Sequence, residues 1–88
     1  MEEVYLIAGK LNNSQMVRYW RVNHDMLLDI ARGDFAIVGN VSGFDLVEII
    51  GTMYVERKNV PLISCTKYEN MKDVKMVIAR EKLKPEQN

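Results

Sequence analysis

Residues 33 to 55, GDFAIVGNVSGFDLVEIIGTMYV, constrain the fold of this chain more than any other stretch. Gly33-Asp34 halts what precedes it, and Phe35 to Gly39 is a short run rich in apolar and β-branched residues. Asn40, Val41, Ser42 and Gly43 then turn the chain, because Asn and Gly tolerate the positive φ of tight hairpins. A longer apolar segment, Phe44 to Arg57, runs back through Gly51. Read as a strand, it places Val47, Ile49, Met53 and Val55 on one face. Read as a helix, it carries a stripe of Leu46, Ile49, Ile50, Met53 and Tyr54 that Ser42 would cap. The β-branched and aromatic residues from Val47 to Val55 favour the strand, and an interior glycine weakens a helix. Gly51 then marks a bulge or sharp bend, the usual means of curving a barrel strand. The segment predicts a curved antiparallel pair in a small β-barrel.

The flanking segments extend that reading. Val4 to Ala8 is a compact apolar run, with turn residues from Lys10 to Ser14 after it. Gln15 to Asn23 is a second strand, with Met16, Arg18, Trp20 and Val22 facing inward and Arg18 near the barrel mouth. Tyr19 and Arg21 take its other face. In residues 24–32, Leu27, Ile30 and Ala31 fall at helical spacing, with Asn23 or Asp25 as N-cap and Gly33 as the residue past the end. This predicts two helical turns or a structured loop. Residues 58–61 make a turn and Leu62 to Thr66 a fifth strand. Val74 to Ala79 is either a sixth strand or the start of a C-terminal helix through Leu83. The expected architecture is mostly β: a partly open antiparallel barrel of five or six strands, with one short helical excursion near residues 24–32. Residues 1–80 form its single domain, and 81–88 are a frayed, charged tail.

Charge and cysteine usage narrow the functional classes. The 88 residues carry 12 basic and 12 acidic side chains, a formal net charge of zero. A dedicated nucleic-acid binder usually shows a basic excess, because phosphate neutralisation drives its affinity. The lone Cys65 forms no internal disulfide, whereas small secreted domains usually carry an even set. The N-terminal MEEVYLIAGK reads as neither a signal peptide nor a membrane span, so the expected compartment is the cytoplasm.

From Gln15 to Val55 the chain resembles a group of small bacterial, phage and plasmid proteins with an SH3-like barrel. The residues that carry the likeness are Tyr19 to Val22, Gly33-Asp34, Phe35 to Val38, Gly43-Phe44 and Ile49 to Gly51. They follow the group's order of aromatic strand, excursion, Gly-Asp pair, β-run, glycine turn and Val/Ile-Gly bend. A related barrel stands at the N-terminus of primosomal helicases. The resemblance spans about half the chain and implies an SH3-like fold of mobile-element type. It transfers no catalytic residue, and the 24–32 excursion is more apolar than the group's usual polar loop.

The residues themselves offer little reactive chemistry. His24 is the only histidine, and the nearest carboxylates, Asp25 and Asp29, do not stand four residues from it on a helix. One Cys and one His in distant segments fall short of a zinc ligand set. Cys65, within an apolar strand, reads as a small core residue. Ser14, Ser42 and Ser64 have no spacing that suggests a Ser-His-acid arrangement. The five glycines form no phosphate-cradling loop. No catalytic, cofactor-binding or metal residue is therefore assigned, and no cofactor or small-molecule substrate is implied.

Binding is the better expectation. Arg18, Tyr19, Trp20 and Arg21 interleave cations with aromatics, the material for stacking on bases or gripping phosphates. The bland alternative makes Trp20 core and pairs the arginines with acids such as Asp45 or Glu48. Met71 and Met76 are assigned to packing of the C-terminal element. Ile50 and Tyr54, on the face opposite Val47 and Ile49, are candidates for a protein contact or self-association beside an open sheet edge. The candidate binding residues are thus Arg18, Tyr19, Arg21, Ile50 and Tyr54. The function expected is a non-catalytic protein-interaction or accessory module of phage or mobile-element origin. The alternative is a nucleic-acid-binding barrel using the Tyr19/Arg21 surface.

Overall fold

The computed structural model describes residues 2–11, 14–27 and 30–83. Five strands make one antiparallel sheet: β1 (Glu3–Leu11), β2 (Val17–Arg21), β3 (Phe35–Asn40), β4 (Gly43–Glu56) and β5 (Val74–Ile78), in the order β2-β1-β4-β3-β5. The expected fifth strand, Leu62 to Thr66, does not form, whereas the sixth, Val74 to Ala79, is present as β5. Where the fifth was expected, α2 (Val60–Ser64) is a helical turn with Pro61 in its first turn. Proline suits a helix start because its missing N–H would be unpaired there and its φ is already helical. The turn expected at residues 58–61 is taken up by a 3₁₀ turn, Arg57–Asn59, that leads into α2. At residues 24–32 the helix α1 (His24–Leu27) is a single turn. Asn23 caps it by accepting the Asp25 N–H at 3.3 Å. Parts of the predicted 24–32 excursion, of the Lys10–Ser14 turn and of the 81–88 tail lie outside the described residues; Arg80–Leu83 is a 3₁₀ turn. Among the described residues no helix is long and apolar enough to cross a membrane.

The 14-residue β4 organises the sheet, its first half pairing with β3 and its second with β1. Gly9 pairs with Ile49 but Ala8 with Gly51, so Ile50 is an extra residue in β4. Because strand side chains alternate, one inserted residue exchanges the two faces beyond it. This corrects the expectation that Val47, Ile49, Met53 and Val55 share a face. Val47 and Ile49 join the main core with Ile7, Trp20, Val22, Ala36, Val38 and Val74. Met53 and Val55 pack instead on a second cluster of Val4, Leu6, Val60 and Met71 on the other side of the sheet. Tyr54 is corrected in turn: it pairs with Tyr5, whose ring packs against the main core, so it lies on the side of Val47 and Ile49.

The central strand β1 is buried on both faces, which explains its near-continuous apolar run. Gly9 allows the close approach of β4 there, since a Cβ would meet Val47 and lie 2.9 Å from the Glu48 carbonyl oxygen. The sheet curls until its two edges touch. The Arg21 N–H donates to the Lys72 carbonyl at 2.9 Å, and Arg21 and Asp73 form an isolated parallel bridge. Beyond that point β2 and β5 stay apart, leaving the sheet open.

Candidate interaction surface

The basic-aromatic strand that suggested a nucleic-acid surface serves largely to hold the fold. The Arg21 guanidinium donates to Asp73 at 2.8 and 3.0 Å and to the Tyr68 carbonyl at 3.3 Å. Among the described residues Asp45 and Glu48, the expected partners, make no ion pair with Arg18 or Arg21, although Asp45 lines the same groove as Arg18. Arg21 and Arg57 lie over the Tyr68 ring, 5.3 and 5.0 Å from its centroid. Arg57 also pairs with Glu2 at 3.2 Å and Glu69 at 3.4 Å. The hydrogen bond to the Glu2 carboxylate, with that of Glu69 behind it, raises the Arg57 pKa further. Tyr19 is half-buried against the second cluster. Two cations therefore clamp the 65–73 segment and α2 onto the sheet.

Arg18 is exposed and lines a groove of about 560 Å³ between β2, the β3–β4 turn and the end of α2. Lys72 lines the same groove and, with Lys75, an adjoining hollow that also holds Gly39 and Asn40. Arg18, Lys72 and Lys75 make no ion pair among the described residues. Ile50 is half-buried in the bulge. Tyr54 is exposed and stacks on Tyr5 at 4.4 Å, with the His24 ring 5.1 Å from Tyr5 on a tilted plane. The Tyr54 pKa is pushed up to about 12, chiefly by the neighbouring Tyr5 hydroxyl, then by burial and the Glu3 carboxylate. The five candidate residues thus fall at separate places: Arg21 and Tyr19 under the 65–73 segment, Arg18 at the groove, Ile50 in the bulge and Tyr54 beside Tyr5.

Cys65 is corrected as well. It is exposed, at the C-terminal end of α2, with a left-handed φ of 62°. Met71 is buried as expected, whereas Met76 is exposed. Asp34 is buried for a structural reason: its carboxylate accepts the Ala31 N–H at 2.9 Å and the Arg80 N–H at 3.1 Å. Those backbone hydrogen bonds, Ala31 first, hold its pKa below the ordinary value against the opposing effect of burial. Among the described residues no three His, Cys, Asp or Glu side chains gather as a metal site would require.

The surface missed from the sequence is the outer face of β3, β4 and β5. Leu46, Ile37 and Met76 stand in one row across the three strands, and Glu48, Phe35 and Ile78 in the next. Phe44 stands beside Gly39 at the turn end. Phe44, Met76 and Leu46 are 69%, 55% and 41% exposed, and Phe35, Ile37 and Ile78 are half-buried. The same face carries Val4 and Leu6 on β1, where α2, Tyr68 and Met71 roof it. Over β3 and β5 no described residue packs in that way. A signal for it was present, because β3 is apolar at every position from Phe35 to Val38 rather than alternating.

Compared with known protein families, curated proteins and solved structures, the chain matches none.

Proposed function

We propose that this chain is a non-catalytic interaction module that binds protein through the outer face of β3, β4 and β5. The observation that carries the reading is the apolar cluster of Phe44, Leu46 and Met76 with Phe35, Ile37 and Ile78, which the described residues leave uncovered while Val4 and Leu6 on the same face are roofed. Single exposed apolar residues are ordinary, but a contiguous patch on a regular sheet face marks an interaction site. The reading keeps the SH3-like, mobile-element and cytoplasmic assignments as part of the same proposal. Its test is a photo-crosslinking residue in place of Phe44, with a control in place of the exposed Lys58. A protein adduct at position 44 and none at 58 is expected; no adduct at 44 overturns the reading.

A second reading, single-stranded nucleic acid in the groove, is favoured by Arg18, Lys72 and Lys75 around the two adjoining hollows. Arg21 is already engaged, so Arg18 is the informative substitution. Binding that weakens with salt and is lost in Arg18→Ala supports this reading, and no binding at low salt removes it.

A further inference from the structure

We infer that the partner of the outer face is a second copy of this chain, packed face to face about a two-fold axis. The inference rests on the binding reading above and names its occupant.

The argument comes from the register. The face is a grid of three strands and three rows, with Ile37 at its centre. Phe44 and Ile78 occupy opposite corners, as do Glu48 on β4 and Lys75 on β5. Lys75 is the extra residue at the β3–β5 irregularity, and its Cε lies 3.9 Å from where a Gly39 Cβ would stand, which brings the end of its stem beside this face. An axis in the plane of the face, along the diagonal from Phe44 through Ile37 to Ile78, leaves those three residues opposite their own counterparts. It sets Phe35 over Met76 and Leu46 over the Lys75 stem at Gly39. It sets each Glu48 over the Lys75 of the other copy.

Strands are about 4.8 Å apart and same-face residues about 6.8 Å apart, so the two grids match within roughly 3 Å when the sheets cross at right angles. That crossing is one of the two ordinary ways in which sheets pack. The charge arrangement carries the choice of partner. Glu48, which has Lys10 beside it on β1, and Lys75 stand at opposite corners and so complement a second copy of the same face twice over, while the apolar diagonal closes on itself. A chain of zero net charge also has no long-range self-repulsion to overcome.

The grid projects to roughly 300 Å² per copy, below the roughly 800 Å² per partner of a standard interface. The dimer is therefore weak and reversible, in the size class of transient contacts.

Sedimentation equilibrium from about 5 to about 500 μM tests this, since the range brackets a weak interface. The wild-type chain is expected to pass from monomer to dimer, and Phe44→Asp to stay monomeric. Glu48→Lys and Lys75→Glu each weaken association by roughly fivefold, and the double substitution restores it to within roughly twofold. A wild-type chain monomeric throughout overturns the inference, as does failure of the double substitution to restore association. Thermal melts identical to wild type confirm that each variant is folded. The crosslinker at position 44 separates the two proposals. An adduct of twice the chain's mass supports the dimer. An adduct with a different protein overturns the dimer and leaves the binding reading standing, and no adduct overturns both.

Discussion

Arg21 and Asp73 join the two open edges of the sheet, the guanidinium Nε and Nη2 donating to Oδ1 and Oδ2 at 2.8 and 3.0 Å. The Arg21 backbone adds a hydrogen bond to Lys72, so main chain and side chain close the same gap. Arg21 lies in the sequence 52 residues from Asp73, and the contact ties the start of β5 to the end of β2.

The two partners contribute unequally. Arg21→Ala removes the ion pair, the bond to the Tyr68 carbonyl and the stacking on Tyr68 together. It is expected to lower stability by about 1 kcal/mol. Asp73→Ala removes only the ion pair and costs less, since Asp73 is mostly exposed. Urea denaturation of both variants checks the order, and equal losses would refute it.

Asp34 makes stability depend on pH in the acid range. Its folded pKa lies below its ordinary value of 3.8, so its contribution is complete above that value. The contribution is lost as pH falls through the lowered folded value, because protonation abolishes the charged acceptor of the Ala31 and Arg80 N–H groups. Asp34→Asn is expected to lower the Tm at pH 7 by roughly 5 °C and to flatten the acid limb of the stability profile. An unchanged acid limb would contradict this role.

Gly9→Ala should test the close approach of β1 and β4 at the bulge. The added methyl meets Val47 and the Glu48 carbonyl, and the backbone oxygen cannot swing away as a side chain would. A loss of roughly 1–3 kcal/mol is expected, as for overpacking in a tight core. Gly51→Ala, with open space around its Cβ, serves as the mild control in the same denaturation experiment.

Cys65→Gly is expected to stabilise the chain. Cys65 ends α2 in the left-handed region, where a Cβ crowds the following carbonyl and glycine does not. The gain expected is roughly 1 kcal/mol by urea denaturation. A loss would mean that the exposed thiol makes a contact of its own.

The sequence carried the local signals faithfully. Asn40 to Gly43 is a tight turn in which the Asn40 carboxamide oxygen accepts the Ser42 N–H at 2.8 Å, and β4 is a strand bent beside Gly51. Trp20 and Val22 are core, and Gly33 has a positive φ, although α1 ends at Leu27 and not beside it as expected. Each follows from turn chemistry or alternation within a few residues. The segment 60–64 failed locally, because a short apolar run serves strand and helix alike, and Pro61 was the clue that pointed to the helix start. A bulge or bend was expected at Gly51 and falls one residue earlier, at Ile50; that it would exchange the faces of β4 was not legible, because this depends on how β1 pairs with it.

By itself, then, the order of residues determined a mostly β, open sheet and its tight turns, while the division of its apolar residues between two faces came from the pairing of β1 with β4. Tertiary structure alone decided that Arg21 would be spent on Asp73 and that Phe44, Leu46 and Met76 would face water. The reason is physical: alternation separates the two faces of a strand, but which stretch becomes core depends on what distant segment lies over it. Here α2 and Met71 roof β1, and no described segment covers the outer face of β5.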